Sequence, residues 1–277
     1  MLFRVALFFL VPIIAFFGGE LMGVTLGMLL AAAIASALAM AIFESRHMSE
    51  LGLAWNRGSE RNLLLGAVLG AGGAALVIVV PLALGMAHFE KVINPDISWR
   101  AALFMPVLLF CGAMAEEIAF RGFVLQYLTR GWGPWLAVLS TGALFGWLHN
   151  DNPGATWLSD VNTALFGVLF GAAVLRTHDL WLPIGLHFGW NVTFPFFGVE
   201  LSGLTIRVTG YELVWKTSDL WSGGKYGPEA SVLTLAALLI LAAVVWKIPV
   251  SKGWAWLLDE PPGSAGVPLE PASPPVP

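Results

Sequence analysis

The sequence predicts an all-α fold, a polytopic membrane bundle of about eight transmembrane helices, and three observations point there. Hydrophobic residues fill 57% of the 277 positions, charged residues only 12%, and the mean hydropathy is +0.78. Soluble domains carry about 25% charged residues, and a soluble surface with half that charge would expose large apolar patches. The apolar residues also gather into runs close to the ~20 residues that cross a bilayer as a helix. None of these runs alternates with the ten-residue strand pattern of an outer-membrane barrel.

Taken in order, residues 1–18 and 21–43 are apolar runs separated by Gly18, Gly19 and Glu20. The first carries Arg4 but no small-x-small cleavage site, so it reads as a retained helix and not a signal peptide. Residues 44–62 are the most charged stretch, and Ser49 to Gly52 is expected to open a short interfacial helix with Leu51, Leu53 and Trp55 toward lipid. Further spans are predicted at 63–87, 102–128, 134–150, 161–177, 180–198 and 231–250. Asn94-Pro95-Asp96 marks a turn in the connection 88–101. The mixed, Gly-containing segment 200–230 is expected outside the bilayer, with some interfacial Trp contacts. Residues 1–260 then form a single transmembrane helical domain with a motif-bearing core at about 102–198. Residues 261–277, rich in Pro, Ser and Gly, form a disordered tail.

Charge sets orientation and narrows the partners. With eight spans, the side holding both termini carries Arg4, Arg46, Arg57, Arg61, Arg130, Arg176, Lys247 and Lys252, against Lys91, Arg100, Arg207, Lys216 and Lys225 opposite. That excess predicts cytoplasmic termini, while the hydrophobicity predicts an integral membrane protein, expected in the cell membrane. The net charge of −4 and the scattered basic residues predict no nucleic-acid partner. Cys111 is the only cysteine, which excludes an intrachain disulfide and a cysteine metal cluster.

Function is sought where an apolar span tolerates a costly residue, because a charge at mid-bilayer costs at least ~2.5–3.5 kcal/mol. The span PVLLFCGAMAEEIAFRGFVLQYL holds Glu116, Glu117 and Arg121. Glu117 and Arg121 stand one helical turn apart and can pair. Glu116 then points about 100° around the helix, free to act as a general base if its site is dry. His149 follows Phe145 by one turn at the end of LSTGALFGWLHN. His187 and Asn191, four apart in LWLPIGLHFGWNVTF, share one helix face. Each of these has a plainer reading: a packing ion pair, a helix-end histidine, interhelical hydrogen bonds. Taken together, carboxylate with imidazole suits water activation, and His with Asn suits donation to an oxyanion. His47 and His88 fall in connections, and His178 sits in a short turn where exposure is expected.

At these residues the chain resembles the CPBP family (CAAX proteases and bacteriocin-processing enzymes, also called Abi), in particular its type II CAAX prenyl endopeptidase-like members. The family pattern EExxxR, FxxxH, HxxxN reads here as Glu116-Glu117 to Arg121, Phe145 to His149, and His187 to Asn191. The resemblance implies an intramembrane endopeptidase with its site in a membrane-facing cavity. It implies that Glu116 with His149 activates the attacking water, that His187 and Asn191 stabilise the oxyanion, and that Glu117 with Arg121 holds the constellation. The implied substrates are membrane-associated or lipidated peptides and proteins, met among membrane lipids.

Two alternatives stay open. One is a zinc-dependent variant, with Glu116, His149 and His187 as ligands. The HExxH helix of many zinc peptidases is absent, and the metal-free mechanism uses each residue once. The other is a non-catalytic immunity or scaffold protein of the same fold.

Overall fold

The computed structural model describes residues 22–93 and 99–260. The expected span 1–18, the Asn94-Pro95-Asp96 turn and the 261–277 tail lie outside the described residues. Seven apolar helical segments follow one another where spans are predicted. They are α1 (Met22–Glu44), α2 (Arg57–Ala83), α3 (Trp99–Glu117) continuing through a π-helical turn (Ile118–Val124) into α4 (Leu125–Trp132), α5 (Pro134–Leu148), α6 (Trp157–Thr177), α7 (Trp181–Phe196), and a last helix at Val232–Lys247. Among the described residues, four helices are long and apolar enough to cross a membrane: Met22–Glu44, Arg57–Ala83, Ala102–Trp132 and Trp157–Thr177. Large apolar side chains such as Val68, Leu139 and Trp147 are more than half exposed on the outer faces. In water such a belt would aggregate; in lipid it is solvated. The chain is an integral membrane helix bundle.

The local chemistry explains the helix ends. Asn56 caps α2 by accepting from the backbone of Gly58 and Ser59. Thr156 and Ser159 form a reciprocal capping pair at the start of α6. The buried Asp179 carboxylate accepts from the Trp181 and Leu182 backbone N–H groups and starts α7. Burial in the α6–α7 turn pushes the Asp179 carboxyl above its ordinary value, against the lowering effect of those bonds.

Helix α7 runs through the middle, packed by α2, α3 and α6. Its Leu182, Leu186, Trp190 and Phe194 join Val77 and Ile78 of α2 and Phe166 and Phe170 of α6 in the main core. The α2–α7 contact is close because both helices carry glycine four residues apart: Gly66 meets Gly185, Gly70 meets the Leu186 and Trp190 backbone, and Gly189 meets that of Ala67. A Cβ on Gly70 would lie 2.1 Å from the Leu186 carbonyl oxygen, and one on Gly189 2.1 Å from that of Ala67. Small residues let membrane helices approach where no hydrophobic drive exists between them. His187 follows Gly185 by two positions, about 200° around the helix, so the face opposite the glycines is the one that carries it.

One expectation needs correction. The expected interfacial helix is a 3₁₀ turn (Met48–Leu51) stopped by Gly52 at φ 81°. Leu51 is fully buried with Met40, Trp256 and Leu257, not turned to lipid, because the C-terminal segment folds back over this end. Strand β1 (Ala87–Lys91) pairs antiparallel with β2 (Tyr211–Trp215), Ala87 opposite Trp215 and Lys91 opposite Tyr211. Each strand is five residues, too short for its period to stand out beside long apolar runs. His178 stays partly exposed, and its Nδ1 lies 2.7 Å from an Asp259 carboxylate oxygen supplied by the same C-terminal segment. Part of segment 200–230 enters the cavity described next.

Candidate active site

A cavity of about 420 Å³ opens between α1, α3, α5, α6 and α7 and the segment before the last helix. Glu116, His149, His187 and Asn191 all line it. The structure therefore brings together residues 75 positions apart from three predicted spans. Glu117 and Arg121 sit behind the wall, both fully buried.

Helix α3 delivers both glutamates at its last turn. The π-helical turn that follows widens the backbone, which departs from helical geometry at Gly122 (φ −70°, ψ −116°). Such turns recur at functional sites. The buried Gln126 amide donates to the Arg121 carbonyl and to that of Leu51, which satisfies polar backbone near the irregularity. Arg121 Nη1 donates to Glu117 Oε1 at 3.3 Å, and the guanidinium carbon lies 4.4 Å from the centre of the Phe145 ring. Gly167 makes room: a Cβ there would meet an Arg121 nitrogen at 3.1 Å. A carboxylate on one side and an aromatic face on the other replace water around a buried cation.

The two imidazoles are oriented alike. His149 Nδ1 lies 2.7 Å from the Phe145 carbonyl oxygen. A carbonyl only accepts, so Nδ1 carries the proton and Nε2 faces the cavity. His187 Nδ1 lies 2.9 Å from Glu117 Oε1, with Phe170 stacked on the ring at 5.0 Å. Its Nε2 also faces the cavity. Glu116 Oε2 lies between them, 4.0 Å from His149 Nε2 and 3.9 Å from His187 Nε2. These separations are too long for direct hydrogen bonds. Glu116 Oε2 is a buried oxygen with no partner among the protein's own groups. A buried acceptor left in that state is costly unless something else serves it.

The zinc alternative can be tested against this geometry. Ligand atoms each about 2.0–2.1 Å from a tetrahedral zinc stand roughly 3.3 Å from one another. The Glu116 oxygen is wider than that from both nitrogens. Among the described residues, no three His, Cys, Asp or Glu side chains are placed to hold a metal ion. The residues as arranged do not fit zinc.

Sequence reasoning missed one wall of the cavity. Glu229, Ser202, Leu201, Leu204 and Ile206 line the cavity from the segment expected outside. Burial pushes the Glu229 carboxyl above the usual carboxylate range, although Ser202 and Trp190 donate to it. Tyr226, beside it, is pushed up to about 12 by burial first and the Glu229 charge second. The available signal was a lone glutamate immediately before the last apolar run.

A family model described as type II CAAX prenyl endopeptidase Rce1-like matches residues 97–193. The chain carries an Rce1-like domain. The matched stretch contains Glu116, Glu117, Arg121, His149, His187 and Asn191, and ends before Ser202 and Glu229. The Rce1-like family supports a function of the intramembrane-protease kind, acting on a peptide or prenylated protein within a membrane. No curated protein and no solved structure matches the chain.

Proposed function

We propose that this chain is a glutamate-dependent intramembrane endopeptidase that hydrolyses a peptide bond of a membrane-associated or lipidated peptide. The observation that carries this reading is the unpartnered Glu116 oxygen between two imidazole Nε2 atoms on a cavity wall. A water there would meet a carboxylate able to take its proton and an imidazole Nε2 able to orient it.

In this reading Glu116 removes a proton from water as the oxygen attacks the scissile carbonyl carbon. His149 Nε2 accepts the water's second hydrogen. The carbonyl oxygen becomes an oxyanion beside His187 Nε2 and the Asn191 amide, which donate to it. His187 already donates from Nδ1, so it must be doubly protonated to donate from Nε2. Glu117 is the counter-ion for that form, held in turn by Arg121. Collapse of the intermediate breaks the C–N bond, and Glu116 returns its proton to the leaving amine. A carboxylic acid and an amine result, with water as the only co-reactant.

Helix lengths favour a site below the membrane surface. Helix α5 has 15 residues, about 22 Å, short of the ~30 Å hydrocarbon core. Its end at His149 would then lie within the bilayer, reached by the irregular backbone of 149–156 and 198–208. Irregular backbone is tolerated at that depth where it lines a cavity. We place the chain as one transmembrane domain in the cell membrane with its termini in the cytoplasm.

The test is cleavage of a panel of lipidated and membrane-spanning peptides by purified protein. Wild type, Glu116→Ala and His149→Ala are compared with and without a chelator. Cleavage by wild type alone, unchanged by chelator, is expected. Loss with chelator would return the zinc variant. Absence of cleavage by wild type, with mutants that still complement a cellular phenotype, would favour the scaffold reading.

A further inference from the structure

The cavity wall from Leu201 to Ile206 is built by backbone that would not hold this shape unaided. Ser202 sits at φ 49°, a left-handed conformation rare for a residue with a side chain. Gly203 follows at φ 82°, packed so that a Cβ would lie 2.0 Å from the Pro153 carbonyl oxygen. Its N–H donates to the Tyr226 carbonyl at 2.8 Å. Leu201 and Leu204 close the turn with hydrogen bonds of 2.9 and 2.8 Å between their backbones. The cavity surface from Leu201 to Ile206 hangs on this turn.

One side chain ties the turn to the core. Glu229 Oε2 accepts from the Ser202 N–H at 2.5 Å and from Ser202 Oγ at 2.8 Å. Its other oxygen, Oε1, accepts from Trp190 Nε1 at 2.9 Å. Trp190 is buried in α7, next to Asn191 and three residues after His187. An indole N–H and a backbone N–H can only donate. Both oxygens of residue 229 must therefore accept at once, and only a carboxyl group offers two acceptors there. Glutamine presents an amide nitrogen to one of the two donors.

We propose that Glu229 is a positioning residue, a carboxylate latch that holds the Leu201–Leu204 turn against α7 and so fixes the substrate-facing wall of the cavity. The part of this inference that concerns substrate rests on the peptidase reading above; the latch does not. The turn supplies no group to the reacting atoms, so loosening it weakens substrate binding before it slows chemistry.

Hydrogen exchange on the full-length protein reads the latch without any substrate. Glu229→Gln is expected to speed exchange across 199–206 by about tenfold, the loss of one hydrogen bond to a charged group. Exchange in Val232–Lys247 is expected to stay unchanged. Trp190→Phe combined with Glu229→Gln is expected to slow 199–206 again, because the donor facing the amide nitrogen is gone. Wild-type exchange in Glu229→Gln, or a double variant as fast as the single one, overturns the latch. If Glu229→Gln also loosens Val232–Lys247, Ser202→Ala decides: a smaller rise confined to 199–206 supports the latch, and none overturns it. In kinetics, Glu229→Gln is expected to raise KM about tenfold with kcat within about twofold. A fall in kcat alone overturns the assignment to substrate positioning. Absence of cleavage by wild type itself would contradict the peptidase reading and leave the exchange result to judge the latch.

Discussion

Glu117 Oε1 accepts from both Arg121 and His187 and none of the carboxylate is exposed, so a change at one of the three residues reaches the others. Arg121→Ala leaves a buried carboxylate without its cation and is expected to cost about 3–5 kcal/mol of stability, measured by thermal or denaturant unfolding in detergent. Arg121→Lys is expected to recover part of this, since an ammonium keeps the charge but not the planar stacking on Phe145. Asn191→Ala is expected to lower kcat by about 10²–10³ with KM little changed, the cost of removing one oxyanion donor; steady-state kinetics separates the two. The Glu117–Arg121 spacing was legible because one helical turn separates the residues in the sequence. The approach of Glu116 to both histidines was not, since no spacing within a helix states how three helices meet. Glu229 was invisible for a further reason: its partners Trp190 and Ser202 are 39 and 27 positions away.

Helix α7 is placed by glycine on one face and functional side chains on the other. Gly189→Val would drive a side chain into the Ala67 carbonyl and is expected to destabilise the bundle by about 1–3 kcal/mol. Activity is expected to fall with it, since His187 and Asn191 ride on the same helix. The Gly-x-x-x-Gly spacing is present in both α2 and α7, but it names no partner helix, so the contact could not be read from sequence. The turn before α7 carries a pH dependence. The Asp179 carboxyl binds its proton more tightly in the folded chain than in the unfolded one. Its contribution to stability is therefore full below the ordinary value of 3.8 and is lost as pH rises through the higher folded value. Asp179→Asn keeps the Oδ1 acceptor for Trp181 and Leu182. The variant is expected to melt with a flatter pH dependence above pH 4 than the wild type.

Across the whole molecule, hydropathy located the helices well, because a lipid-facing run must be apolar along its length. It gave no sign that Leu201 to Ile206 would line a cavity, since loop composition does not report which backbone packs against protein. The end of the bundle carrying Arg61, Arg130 and Arg176 is fastened by the C-terminal segment. Arg61 donates to the Pro249 carbonyl and Arg176 to that of Ile248. Arg130 donates to the Glu44 carboxylate and to the Trp256, Leu257 and Glu260 carbonyls. Arg46 stacks on Trp256 at 3.9 Å. Arg130→Ala is expected to free residues 251–260 for cleavage in limited proteolysis while leaving the cavity intact. Peptidase activity is expected to change less than threefold, because neither Arg130 nor residues 251–260 line the cavity.

The central claim is that Glu116 activates the attacking water. Single-turnover cleavage by Glu116→Gln measures it directly, because glutamine keeps the shape and removes only the base. With melting behaviour equal to wild type, a rate loss of at least about 10²–10⁴ is expected. Cleavage within threefold of wild type would contradict the account.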